Sequence, residues 1–204
     1  DFNTTSSSII FNWTVTDNID TNMTCNLTIN NEINASDIIA NNGTRTNYTV
    51  SGINEGTYLW NVTCVDNSTN TNTSQTWAFA VDTSSPAINL DLPFNNTWQK
   101  QGNVTFKYTA TDARGIDFCT LYGDFNGSLW RANYTDTSVD TGVQGTFNLN
   151  LTNGTYLWNV WCNDTLGNIA FNATNFTVGV DTVLPNITYD VNTETNNSYF
   201  NRTW

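Results

Sequence analysis

Four cysteines, Cys25, Cys64, Cys119 and Cys162, are the residues of this chain best suited to covalent chemistry. An even set suits disulfides in an oxidising compartment, and so an extracellular location. There is no histidine, so the commonest general base and the commonest nitrogen ligand for zinc are both missing. Ser-His-Asp, Cys-His and most metallohydrolase chemistry are excluded with it. Acid-base work would fall to carboxylate pairs of the kind glycosidases use, and no motif singles out two of them. A glycan-active enzyme is therefore the weakest reading. With 6 Lys+Arg against 18 Asp+Glu the formal charge is -12, and six scattered cations cannot form the basic surface that releases counterions from phosphates. Nucleic acid is excluded as a partner.

The second chemistry is N-glycosylation, which needs Asn-x-Ser/Thr with x not Pro. The chain is rich in both partners, with 35 Asn, 36 Thr and 12 Ser. Sequons stand at Asn3, Asn12, Asn22, Asn26, Asn34, Asn42, Asn47, Asn61, Asn67 and Asn72. They continue at Asn95, Asn103, Asn126, Asn133, Asn150, Asn153, Asn163, Asn172, Asn175, Asn186, Asn196 and Asn201. That makes 22, where composition alone gives about 8. The excess points to a surface coated with N-linked glycans.

The elements that position these groups are legible as a repeat. GTYLWNVTC at 56–64 returns as GTYLWNVWC at 154–162, AVDTSSP at 80–86 as GVDTVLP at 179–185, and FNWTVTD at 11–17 as FKYTATD at 106–112. One repeat is close to 99 residues, about a domain's worth. Within it apolar residues alternate with polar ones, the period of a strand with one buried face. Tyr58, Trp60, Val62 and Cys64 share a phase, as do Tyr156, Trp158, Val160 and Cys162. Short alternating segments with Asn/Gly turns are the pattern of a sandwich of roughly seven strands. At 38% hydrophobic with eight Trp, the chain has enough apolar surface to fold. No run approaches the ~18 apolar residues of a membrane helix, so no transmembrane segment is expected.

Sandwich strands B, C, E, F and G of the first repeat are expected at about 9–16, 22–29, 45–51, 57–65 and 75–81. Strand A is expected at 87–92 and again at 186–191, with no copy ahead of residue 9. The expected organisation is an all-β chain of tandem immunoglobulin-like β-sandwich domains with an extended C-terminal strand. Residues 1–84 form a domain lacking its own strand A, 85–184 a complete one, and 185–204 a strand that completes the next subunit or repeat. Ile187, Tyr189 and Val191 are its inward face. All four cysteines fall on inward phases and recur once per repeat, which pairs Cys25 with Cys64 and Cys119 with Cys162.

Asn12, Asn26, Asn47, Asn61, Asn150 and Asn175 fall on outward phases, where a glycan stands in solvent. Trp13, Trp60, Trp77 and Trp158 fall inward and are expected in the core; Trp98, Trp130, Trp161 and Trp204 are freer for intersubunit contacts. Asp17, Asp66, Asp112 and Asp164 end strands B and F, whose loops share one pole of a sandwich. Asp82 closes the first repeat beside that pole of the second, so Asp82, Asp112 and Asp164 form a candidate calcium cage. Turn capping is the alternative role for these aspartates, since no dense Asp-x-Asp-x-Asn run is present.

At Gly56–Asp66 with Val81–Pro86, and at Gly154–Asp164 with Val180–Pro185, the sequence resembles the immunoglobulin-like repeats of archaeal and bacterial cell-surface proteins of filament, sheath or S-layer type. The resemblance implies the fold; a structural extracellular role is expected, with no cofactor other than the candidate calcium. The first cysteine of each pair sits on strand C, one strand later than in antibody domains. The leading expectation is a subunit or repeat segment of a glycosylated filament whose partners are identical copies joined head to tail. The alternative is a cell-surface adhesin or carbohydrate-binding module.

Overall fold

A computed structural model describes residues 2–127 and 129–188. The strands of the first repeat are β1 (Phe2–Thr4), β2 (Ile9–Thr14), β3 (Asn22–Ile29), β4 (Glu32–Asn41), β5 (Arg45–Val50), β6 (Gly56–Val65), β7 (Thr71–Thr73) and β8 (Trp77–Val81). Those of the second are β9 (Ala87–Leu92), β10 (Thr97–Gln99), β11 (Asn103–Thr111), β12 (Ile116–Gly123), β13 (Arg131–Asp136), β14 (Gln144–Asn150), β15 (Gly154–Asp164), β16 (Ile169–Phe171) and β17 (Phe176–Val180). Among the described residues there is no helix, so none is long and apolar enough to cross a membrane.

Strict alternation makes these strands one-faced, and each set buries its inward faces between two sheets. In the second repeat the sheets run β10-β17-β15-β12-β13, with β16 beside β15, and β14-β11-β9. In the first they run β1-β8-β6-β3-β4, with β7 beside β6, and β2-β5. The inter-sheet contact is the same in both: Phe106 meets Trp158 edge-on at 4.9 Å, and Phe11 meets Trp60 edge-on at 5.0 Å. Separate apolar clusters result, one spanning Ile9 to Val81 and the other Ile88 to Val180.

The repeated Gly-Thr-Tyr has a local reason. Tyr58 donates its hydroxyl to the Asn54 carbonyl and Tyr156 to that of Thr152, each at 2.9 Å. The ring then lies back over the glycine two residues before it, where a Cβ on Gly56 would meet the Tyr58 ring at 3.2 Å. Replacing Tyr156 by phenylalanine removes that bond from a buried site and is expected to cost about 1 kcal/mol in a urea titration.

Both cysteine pairs are joined, Cys25 to Cys64 and Cys119 to Cys162. Each links neighbouring strands of one sheet, since Cys25 lies opposite Cys64 on β3 and β6, and Cys119 opposite Cys162 on β12 and β15.

The segment ahead of β2 holds a strand that the sequence pattern does not announce. β1 runs parallel to β8, with Phe2 opposite Phe79, as β10 runs parallel to β17. What the first repeat has no counterpart of, among its described residues, is β9. β11 pairs with β14 on one side and β9 on the other, whereas β2 pairs with β5 alone.

Candidate functional site

The difference between the repeats lies where β9 sits. In the second repeat β9 lies antiparallel to β11, burying Ile88 and Leu90, and touches β15 and β16 as well. The Asn172 side chain fastens it by donating to the Ile88 carbonyl at 2.6 Å. Among the described residues, the equivalent ground in the first repeat, bounded by β2, β6 and β7, is open. Two clefts of about 440 and 500 Å³ run along it and share Trp13, Val62 and Ser74.

This opening changes the tryptophans. Trp158 is 0% exposed, while Trp13 and Trp60 are only half-buried and Trp77 is 50% exposed. The expectation that all four lie in the core is corrected for Trp77 and weakened for Trp13 and Trp60, which line the 500 Å³ cleft. The physical reason is coverage. Phase decides which face a side chain points to, but a strand must lie across that face before it is buried.

Of the residues expected to form the C-terminal donated strand, Ile187 is described and is 84% exposed. Tyr189 and Val191 lie outside the described residues, as do Asn196 and Asn201 and Trp204.

The described sequon asparagines are all at least partly exposed. Several face one another across strands: Asn12 lies opposite Asn47, and Asn103 opposite Asn150. Six are half-buried, namely Asn26, Asn42, Asn61, Asn133, Asn163 and Asn172. Two of these already donate twice from the amide nitrogen. Asn42 donates to the carbonyls of Asp17 and Asp20, and Asn133 to those of Gly123 and Arg131. A glycan replaces one of those amide hydrogens, so modification there would break a loop contact.

Asp82, Asp112 and Asp164 come together. One carboxylate oxygen from each lies within 4.8 Å of the other two. Asp82 follows β8, Asp112 follows β11, and Asp164 is the last residue of β15. The aspartates also cap turns: Asp112 Oδ1 accepts from the Arg114 N–H at 2.7 Å, and Asp164 Oδ1 accepts from the N–H groups of Leu166, Gly167 and Asn168. Both readings of the aspartates therefore involve the same residues. Burial first, and then the negative charges of Asp112, Asp164 and Glu55, push the Asp82 carboxyl above its ordinary range, against one stabilising bond from the Ser84 N–H. Two polar contacts cross between the repeats beside this cluster. Asn168 donates to the Asp82 carbonyl at 3.0 Å, and the Arg114 guanidinium to Thr57 Oγ1 at 3.0 Å.

Features beyond the reach of the alternation are β4, β7 and β1. β4 carries Ile33 and Ile39 on exposed positions and buries only the small Ala35 and Ala40, which stand five apart, so alternation does not pick out its inward face. The signal that could have located it is the Asn30-Asn31 turn, both residues at positive φ, which closes the hairpin from β3.

Arranged this way, the chain is an all-β, disulfide-bonded protein of paired sheets. No protein-family model matches it, and no curated protein does. Among solved structures it is similar to the fibronectin(III)-like modules of CbhA from Clostridium thermocellum, at 15% identity over 93% of both chains with a TM-score of 0.46. It is also similar to a 1.5-MDa bacterial ice-binding adhesin, at 17% identity over 87% of this chain and 59% of that one, with a TM-score of 0.44. A third likeness is to the FN1–FN3 domains of chicken CNTN1, at 9% identity over 88% of this chain and 64% of that one, with a TM-score of 0.39. All three scores lie below 0.5, and the description of the fold stands on its own hydrogen-bonded sheets.

Proposed function

We propose that this chain is a structural extracellular protein, a subunit or repeat segment of an N-glycosylated surface filament. Residues 1–84 and 85–184 are tandem immunoglobulin-like sandwiches. Residues 185–204 serve as strand A for the first repeat of the next copy, or of the next stretch of a longer repeat chain. The observation that carries this reading is the open cleft along β2 in one repeat where β9 lies in the other. An apolar strand added to an exposed edge gains ladder hydrogen bonds and fills pockets with alternate side chains. The repeat supplies the register: with β9 on β11 as template, Ile187 would lie opposite Val15, Tyr189 opposite Trp13 and Val191 opposite Asn12. Ile187 takes the place of Ile88, which is 7% exposed, so the donated strand would bury what is now bare.

The poles support the same arrangement. Asn70 donates to Asp66 Oδ2 at 2.7 Å as Asn168 does to Asp164 Oδ2. Asp181 takes its N–H to the Gln99 carbonyl as Asp82 does to that of Thr4. The contact between Asn168 and the Asp82 carbonyl thus has its two halves waiting at the far ends, as Asn70 and Asp181. A head-to-tail contact does not close on itself and propagates.

The test is assembly of the full chain, followed by light scattering and electron microscopy, with Ile187→Asp and Tyr189→Asp beside the wild type. Filaments are expected from the wild type and none from the double variant. A wild type that stays monomeric at high concentration, or a double variant that assembles equally well, overturns the reading.

The tryptophan-lined cleft also favours a second reading, a carbohydrate-binding adhesin, because Trp13, Trp60 and Trp77 present ring surface to the same opening. Glycan-array binding that is lost in Trp77→Ala, with assembly absent, would support it.

Glycosylation gives a site-resolved prediction. Peptide mapping of the native protein should find glycans on the exposed strand sequons Asn47 and Asn150 and on Asn175 just ahead of β17, and none on Asn42 and Asn133. A native chain at its bare 22.7 kDa would end the glycoprotein reading.

A further inference from the structure

We propose that Asp82, Asp112 and Asp164 bind a calcium ion that ties the end of β8 to the ends of β11 and β15 and so stiffens the junction between the repeats. Calcium takes oxygen ligands at about 2.3 to 2.6 Å, so two ligands on opposite sides of the ion stand roughly 5 Å apart. Three carboxylate oxygens within 4.8 Å of one another fit around such an ion. Magnesium holds its ligands at about 2.0 to 2.1 Å, demands a near-ideal octahedron and gives up its waters reluctantly, so it is seldom held by an all-protein cage. An all-oxygen donor set is also a poor match for zinc.

A second observation points to a ligand independently of the clustering. Asp82 is only 2% exposed, and its Oδ2 is buried with no hydrogen-bond partner among the described residues. Among the described residues its other oxygen accepts only the Ser84 N–H, at 3.1 Å. A buried carboxylate oxygen with no donor is among the more expensive features a fold can carry, because the charge has lost its water and gained nothing. The charged neighbours acting on it, Asp112, Asp164 and Glu55, are all negative. The Arg114 side chain, two residues beyond Asp112, donates its guanidinium to Thr57 Oγ1. A divalent cation supplies the missing positive charge to all three carboxylates at once.

The ligands are held in place before any ion arrives. Asp164, 1% exposed, is fixed by three backbone N–H groups and the Asn168 amide. Asp112 is oriented by Arg114 N–H through Oδ1, while its Oδ2 takes no hydrogen bond among the described residues. Asn168 joins Asp164 Oδ2 to the Asp82 carbonyl, so the second repeat grips the end of the first even without the ion. Each ligand comes from a different strand end, and one of the three comes from the other repeat. Binding therefore resists any opening of that junction. Ligand sets of three carboxylates completed by water suit the weaker, extracellular range of calcium affinity, about 0.1 to 1 mM.

The experiment is calorimetric titration of the full chain, freed of metal with chelator, by calcium chloride and separately by magnesium chloride. Asp112→Asn and Asp82→Asn are measured beside it, both being near-isosteric. The wild type is expected to show one saturable calcium site, at least tenfold tighter than its magnesium binding, and each variant should weaken calcium at least tenfold. Asp82→Asn should also raise the melting temperature of the calcium-free protein, because it removes a buried uncompensated charge. That gain is one a purely turn-capping role would not give. Calcium binding of unchanged affinity in both variants would place the ion elsewhere and overturn the proposal. So would a wild type with no saturable calcium heat up to several millimolar, whatever the folding state of the variants.

Discussion

Replacing Trp158 by alanine is expected to destabilise the chain by about 3 to 5 kcal/mol, and the same replacement at Trp60 by clearly less. The two tryptophans stand in the same sequence, GTYLWNV, at 56–62 and 154–160. Each meets a phenylalanine from the opposite sheet edge-on, Phe11 for Trp60 and Phe106 for Trp158. Trp158 is in addition met edge-on by Phe176 at 5.8 Å and has β9 lying against its strand, so truncation leaves a cavity enclosed on all sides. Trp60 borders the open cleft, where water already reaches part of the ring, and truncation enlarges a groove that exists. Urea titrations of the two variants, extrapolated to water, measure the difference. Equal losses would mean that Trp60 is covered in solution by something that this fold places outside the first repeat. If the donated strand is that cover, the Trp60→Ala penalty should grow towards that of Trp158→Ala once chains have assembled.

Replacing both Cys119 and Cys162 by alanine is expected to cost roughly 3 to 4 kcal/mol, and the Cys25 and Cys64 pair about the same. The bridges close loops of similar length, with separations of 43 and 39 residues. A crosslink acts chiefly by removing conformations from the unfolded chain, and the loss grows slowly with loop length. Both bridges join strands that are already hydrogen-bonded neighbours, so native pairing survives their removal and the loss is one of stability. Denaturant midpoints of the oxidised wild type and the two double variants test this. A loss below about 1 kcal/mol in either would show that the unfolded chain already holds those strands together.

Much of the fold is legible in the residues themselves. Alternation places Phe11, Leu27, Val62 and Phe79 on inward faces, and all four are buried. Period-two patterning is a local property, readable from a few consecutive side chains. The same locality explains the sequons, whose strand positions fall on outward phases and are exposed or half-exposed. It also explains what escapes. β4 buries only Ala35 and Ala40 fully and presents Ile33 and Ile39 to solvent, so its pattern carries no face. β1 and β7 span three residues each, too short to alternate.

The sequence by itself determined the alternating strands, their inward faces, the partners of the four cysteines and the near 99-residue repeat, because each is fixed by neighbours along the chain or by recurrence. Only the tertiary structure decided what covers those faces and what meets at their ends. Trp158 and Trp60 carry the same local message, yet one is sealed and the other borders a cleft, because β9 crosses one sheet edge and no described strand crosses the other. Asp82, Asp112 and Asp164 lie as far as 82 residues apart in sequence, yet share a space under 5 Å across. Their meeting depends on how the first repeat is set against the second. Lateral pairing and repeat-to-repeat contact join residues distant in sequence, and a period read along one strand holds no information about which strand, or which copy, will lie beside it.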